Sequence, residues 1–126
     1  MKNKIYNMEV NNLDNCLFCG IADKKVAANV VYEDELVLAF HDIHPVAPVH
    51  VLIIPKKHLS SLNEAQANDK ELLGHILLTA GKLAKELKIS EDGFRLINNC
   101  GKNGGQVIYH VHFHLLGGKN LGSKIA

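Results

Sequence analysis

The chain lacks the marks of several protein classes, and each absence narrows what it can be. Three cysteines in 126 residues, two of them spaced as Cys16-x-x-Cys19, are too few for a disulfide framework. No apolar run approaches the roughly 20 residues of a membrane-spanning helix. Met1 to Asn15 holds Lys2 and Lys4 but no apolar signal core. The net charge is only +1, and Lys56-Lys57 is too short to form the basic patch that a nucleic-acid or membrane surface needs. Internal repeats and low-complexity segments are absent. What remains is the composition of a soluble globular protein, 47% hydrophobic and 21% charged, in a length that suits one domain. The expected organisation is a flexible tail over residues 1–14 and a single domain over 15–126, with a cytoplasmic location.

The chemistry is concentrated near the C-terminus, in Tyr109-His110-Val111-His112-Phe113-His114-Leu115-Leu116. On a strand, side chains alternate faces. His110, His112 and His114 would then share one face, with neighbours roughly 6.5–7 Å apart, and Tyr109, Val111, Phe113 and Leu115 would cover a core. Two chemistries compete for such a row. Neutral imidazoles can ligate a metal, or one can act as a nucleophile on phosphorus. Upstream, Asn98-Asn99-Cys100-Gly101-Lys102-Asn103-Gly104-Gly105-Gln106 is rich in glycine and amides, and joined to the row it reads as a phosphate cradle.

Gly104-Gly105-Gln106 running into His110-Val111-His112-Phe113-His114-Leu115-Leu116-Gly117-Gly118 resembles the histidine triad (HIT) family, in particular its Hint-like branch of purine nucleoside phosphoramidases. The likeness extends over Cys16 to Ile54 and Pro55-Lys56-Lys57-His58. It implies an α+β, HIT-like fold and a homodimer, with the long helix and the Phe94–Asn98 strand at the two-fold axis and the sheet continuing across it. It also implies P–N bond cleavage in AMP- or GMP-type phosphoramidates. His112 would form a covalent nucleotidyl intermediate, with His114, His110 and His50 completing the catalytic set. Asn99, Gly105, Gln106, His112 and His114 would hold the phosphate, and no metal would serve catalysis. Asp42 would bind the ribose hydroxyls, since an ionised carboxylate only accepts hydrogen bonds. Phe18, Ile21, Phe40, His41 and Ile43 would surround the base. Val107 departs from the pattern, standing where animal Hint proteins carry a serine near the leaving group. Other readings are a dinucleoside polyphosphate hydrolase of the same superfamily and a nucleotide-binding interaction protein with vestigial chemistry.

The Cys16/Cys19 pair has three readings from its residues: buried small hydrophobes, a redox pair without the usual βαβ context, or half of a zinc site. The resemblance supplies the missing half, because some HIT relatives complete a structural zinc site with two histidines. The matching residues are His58 and His110.

The remaining pattern predicts about five antiparallel strands, one long helix and a short N-terminal helix at residues 16–22. Val30-Val31-Tyr32 and Leu36 to Phe40 form a hairpin about Glu33-Asp34-Glu35. Val49 to Pro55 is an unbroken β-branched run, a buried strand in which His50 requires hydrogen bonds. Leu73, Ile76, Leu77, Ala80, Leu83, Ala84 and Leu87 form a helical stripe, starting near Asn68 and Glu71. Phe94 to Asn98 forms a further strand, and His75 lies just off the stripe, as a surface or interface residue.

Overall fold

The computed structural model describes residues 15–126, so the tail expected over residues 1–14 lies outside the described residues. Five strands, β1 (Val30–Glu33), β2 (Val37–His41), β3 (Val49–Pro55), β4 (Arg95–Asn98) and β5 (Phe113–Gly117), form one antiparallel sheet in the order β1-β2-β3-β5-β4. A short helix α1 (Leu17–Ala22) precedes the sheet, and a long helix α2 (Lys70–Glu86) lies between β3 and β4. The architecture is therefore the expected α+β arrangement. The last strand inserts between β3 and β4, which leaves β4 at the sheet edge.

The central strands are apolar on both sides because both faces are covered. Val37, Ala39, Val51 and Ile53 pack with Ile76, Ala80 and Leu83 of α2. The intervening positions Leu38, Phe40, Leu52 and Ile54 pack with Phe18 and Ile21 of α1. Period-two alternation thus divides one run of residues between two cores. Asp34 fastens α2 to the β1–β2 turn. Its carboxylate accepts the Leu36 and Val37 N–H groups at 2.8 and 3.0 Å and the Tyr32 hydroxyl at 2.7 Å, and it lies 2.6 Å from His75 Nε2. Of the surface and interface positions expected for His75, the structure shows the second: it is half-buried and paired where α2 meets the β1–β2 turn.

Three expectations need correction. The buried stripe of α2 is Leu72, Ile76, Thr79, Ala80, Leu83 and Ala84, while Leu77 is 54% exposed. Leucine fills 72, 73, 77 and 78, so the apolar pattern is broader than the face that meets the sheet, and packing decides the rotation. The helix is entered through a 3-10 turn at Ala67–Asp69, where the Gln66 N–H donates to the Asp69 carboxylate at 2.9 Å; Asn68 and Glu71 do not form the cap. Third, the histidine row is strand only from Phe113 onward. Pro55, at the end of β3, has no N–H to extend the ladder, and its carbonyl is taken by His110 Nε2 at 2.8 Å. The His110 N–H turns back to Ile108 O at 3.0 Å and the Val111 N–H goes to Leu59 O at 2.7 Å, so Tyr109 projects outward, 48% exposed.

Candidate active site

Alternation survives where the ladder does not. His110 and His112 present their rings edge-on to Phe18, at centroid distances of 6.0 and 5.1 Å, and His112 meets His114 at 5.2 Å. Val111 and Phe113 point into the core beneath α2. The three imidazoles therefore share the α1 face of the sheet, though their environments differ.

His112 is buried, and its Nδ1 lies 2.8 Å from the carbonyl of His110. A carbonyl only accepts, so Nδ1 carries the proton and Nε2 keeps the lone pair. Burial pushes this imidazole below its ordinary pKa, against the opposing pull of the His110 carbonyl. A neutral ring with a fixed free lone pair is the state a nucleophile requires. The adjoining carbonyl, that of His112 itself, receives the Asn98 side-chain amide at 2.9 Å. The sequence pattern places Asn98 only as one amide of the phosphate cradle; its position at the end of β4, paired with β5, turns it instead onto the backbone of His112.

A second chain of groups leads to His114. The Val46 N–H donates to His50 Nδ1 at 3.2 Å, so in the neutral ring the proton sits on Nε2. That Nε2–H faces His114 Nδ1 at 2.9 Å, with Asp42 Oδ2 at 3.4 Å on the flank. His114 Nδ1 accepts, and its own proton falls on Nε2, ready to donate. Burial, with His112 and His50 beside it, pushes His114 down to about 4, and burial also lowers His50 against the Asp42 carboxylate. Asp42, His50 and His114 are also close enough to invite a metal. The Val46 contact argues for a hydrogen-bond relay, because a protonated Nε2 offers no lone pair. Asp42 is itself turned by accepting the His44 N–H at 2.7 Å.

The third cluster is Cys16, Cys19, His58 and His110, whose ligand atoms all lie within 4.8 Å of one another. His58 Nδ1 and His110 Nδ1 are 3.2 Å apart, and the sulfur-to-nitrogen separations are 3.2, 3.4 and 3.5 Å. Tetrahedral zinc with ordinary bond lengths separates its ligands by about 3.3 Å for N–N and about 3.5 Å for S–N. The four residues fit. The Pro55 carbonyl takes the His110 Nε2–H and leaves Nδ1 as the donor atom. The Cys19 thiol holds the Cys16 thiol far below its ordinary value, His110 and His58 adding to the effect against burial. Cys16 Sγ also accepts the Cys19 N–H at 3.3 Å.

The glycine-rich loop is held from within. Gln106 is buried: its side-chain amide donates to Ser60 O at 2.7 Å and Ile108 O at 3.0 Å, while its oxygen accepts the Gly101 N–H at 2.9 Å. Asn99 donates to Gly104 O at 2.8 Å. Gly105 has φ +83°, and a Cβ on Gly104 would stand 2.4 Å from Cys100 O, so only glycine forms this turn. Gln106 thus shapes the loop, with both of its amide hydrogens already engaged. Of the other expected residues, Phe18, Ile21 and Phe40 are buried together, His41 is exposed at the strand end, and Ile43 and Val107 are 85% and 86% exposed. An open cleft of about 750 Å³ between the α2–β4 loop and the C-terminal segment contains none of these residues.

The sequence pattern of the HIT domain family matches residues 23–121. A purine nucleoside phosphoramidase of Escherichia coli is 44% identical over 110 residues, covering 87% of this chain and 92% of its own. Among solved structures, a HIT family hydrolase from Legionella pneumophila is 52% identical with a TM-score of 0.84, covering 86% of this chain and 96% of its own. One from Clostridium thermocellum is 47% identical with a TM-score of 0.87, covering 90% and 99%.

Proposed function

The chain belongs to the HIT domain family, and from that premise we propose that it hydrolyses the P–N bond of purine nucleoside phosphoramidates through a nucleotidyl-His112 intermediate. The observation that carries this reading is the His112 Nδ1–H on the His110 carbonyl, which commits Nε2 to attack. In the first step Nε2 forms a bond to the α-phosphorus as the P–N bond breaks, and the amine leaves with a proton from the medium. In the second, water attacks the same phosphorus and gives up a proton to the medium, the P–Nε2 bond breaks to restore the neutral imidazole, and the nucleoside monophosphate is released. His114 Nε2–H would donate to the non-bridging oxygens, held in that tautomer by the relay from Val46 through His50. Asn99, Gly105 and backbone amides of the loop would border the phosphate, with Gln106 as internal strut. Phe18, Ile21, Phe40, His41 and Ile43 would line the base site, Asp42 would hold the ribose hydroxyls, and Val107 would lie near the leaving group.

Cys16, Cys19, His58 and His110 would hold one structural zinc ion, which when bound cross-links α1 to the histidine row. Removing it should lower the melting temperature by about 10 °C or more, as loss of several kcal/mol does in a domain of this size. Thiols facing imidazoles suit a reducing compartment, the cytoplasm. Among the described residues no helix is long and apolar enough to cross a membrane. Edge strand β4 and the exposed Leu77, Leu78 and Phe94 would meet a second copy of the chain. Light scattering should give a mass near twice 13.9 kDa.

The activity is tested by comparing turnover of adenosine 5′-phosphoramidate with that of a diadenosine polyphosphate. Preferred cleavage of the phosphoramidate, lost in His112→Ala, is the expected result. Preference for the dinucleotide would move the assignment to the polyphosphate hydrolases, and binding without turnover would leave only a nucleotide-binding protein.

A further inference from the structure

The cysteine–histidine cluster and the nucleophile meet in one residue. His110 is fully buried, and four of its groups are engaged. Its ring Nδ1 faces Cys16, Cys19 and His58, and its Nε2–H donates to Pro55 O at 2.8 Å. Its N–H donates to Ile108 O at 3.0 Å, and its carbonyl accepts the His112 Nδ1–H at 2.8 Å. With both ring nitrogens engaged, the imidazole turns only by breaking these contacts, and a displacement of the ring that keeps them pulls on the backbone that bears this carbonyl.

A second contact runs the same way. Phe18 lies between the two sulfur ligands in sequence, and its ring packs edge-on against His112 at 5.1 Å. The ligand segment therefore touches the nucleophile through Phe18 as well as through His110. With no cation between them, four electron-rich atoms at 3.2–3.5 Å can stay together only by taking up protons or moving apart. Movement of Cys16 and Cys19 carries Phe18, and movement of His110 carries the carbonyl. The opposite end of His112 is fixed independently, its own carbonyl receiving the Asn98 amide.

We propose that His110 is a positioning residue through which the metal ion fixes the tautomer and aim of His112, so that metal occupancy sets the catalytic rate as well as stability. The proposal rests on the zinc reading above. It extends that reading by giving the ion an influence on chemistry without contact with substrate. Loss of the ion releases the carbonyl, the His112 ring samples both neutral tautomers, and Nε2 is the free lone pair only part of the time. Nucleotide affinity, which depends on the base and ribose contacts, changes little.

The test uses the full-length protein labelled with 15N-histidine, zinc-loaded or stripped by a chelator, with zinc content measured in each state. In the loaded protein, His112 should show a protonated Nδ1 and an unprotonated Nε2; in the stripped protein the two signals should move toward averaged positions. The kcat should fall about 10- to 100-fold, the range typical of lost outer-sphere partners, with KM changed less than about twofold. Zinc add-back should restore both. His58→Ala should behave as the stripped protein, whereas His58→Cys, which keeps four ligands, should bind one zinc and regain the loaded signature and rate. Should the stripped protein lose its fold, zinc is exchanged for the larger cadmium ion, and unchanged His112 signals and kcat between the two ions would overturn the proposal. It is equally overturned if the stripped, folded protein keeps a single His112 tautomer and full kcat, or if the protein takes up no metal. If phosphoramidates are not turned over but the His112 signals still follow zinc, the substrate assignment fails and the coupling stands.

Discussion

Two clusters flank His112, each with a pair of histidines at its centre, and their hydrogen bonding is arranged in opposite senses. In the first, Cys16, Cys19, His58 and His110 turn their lone pairs inward to a common point. In the second, donors and acceptors alternate in a line from the Val46 N–H through His50 to His114, with Asp42 at the side. What separates them is the partner of each outer imidazole nitrogen. A carbonyl, that of Pro55, makes His110 donate outward and keep a lone pair inside. An N–H, that of Val46, makes His50 accept outward and pass a proton inward. The backbone therefore decides which imidazole is free to ligate and which passes a proton, and His112, held by the His110 carbonyl, stands where the two meet.

The strongest way to break this contrast is to delete the residue at the border. His112→Ala should reduce phosphoramidate turnover by about 10³-fold or more while changing nucleotide affinity little, because binding rests on other groups. Steady-state kinetics beside calorimetric titration with AMP will check both halves. Next in size is His50→Ala, which removes the donor to His114 Nδ1 and frees that ring to take either tautomer. The unmet buried acceptor costs about 1–3 kcal/mol, or about 10- to 100-fold if it is felt in the transition state. Zinc content should stay at the wild-type level, which distinguishes the relay from the cluster.

Acid separates the clusters in a different way. His114 is held down to about 4 and His50 is also lowered, so the folded state binds these protons later than the unfolded chain does, near 6.5. Stability conferred by keeping the rings neutral is therefore complete above about pH 6.5 and declines as the pH falls toward about 4. Denaturant melts across that window should show the decline, and His114→Asn should flatten part of it. The smallest effect is expected at Val107, 86% exposed beside the row. Val107→Ser should raise turnover about fivefold, roughly 1 kcal/mol, for substrates with basic, poor amine leaving groups and less for good ones. An equal gain for both would place the hydroxyl away from the departing atom.

Much of this was legible in the chain because strand and site both rest on short patterns. The β-branched run from Val49 to Pro55 and the alternation at 110, 112 and 114 located the sheet and the shared face. Cys16, Cys19, His58 and His110 were named together through a family likeness and lie together in space. The insertion of β5 between β3 and β4 was not legible, since pairing order depends on contacts distant in sequence. Nor was the rotation of α2, where a surplus of leucines admitted more than one face. The least legible feature was the one that matters most to the chemistry. Tautomers are set here by backbone groups at Pro55, Val46 and His110, and a residue's letter does not record where its carbonyl points. Gln106 shows the same limit: its type suggested a phosphate donor, but its hydrogens are engaged by Ser60 and Ile108.

The central claim is that His112 Nε2 forms the bond to phosphorus, and a rapid quench of the enzyme during turnover tests it most directly. Protein mixed with an excess of adenosine phosphoramidate is stopped within milliseconds in alkaline denaturant, where a phosphorus–imidazole bond survives, then digested and sequenced by mass spectrometry. The account predicts an adenylyl group on the peptide containing His112, assigned by fragmentation to that residue and absent from His112→Ala. Adenylate on His110, His114 or any other residue, or steady turnover by His112→Ala, would contradict it.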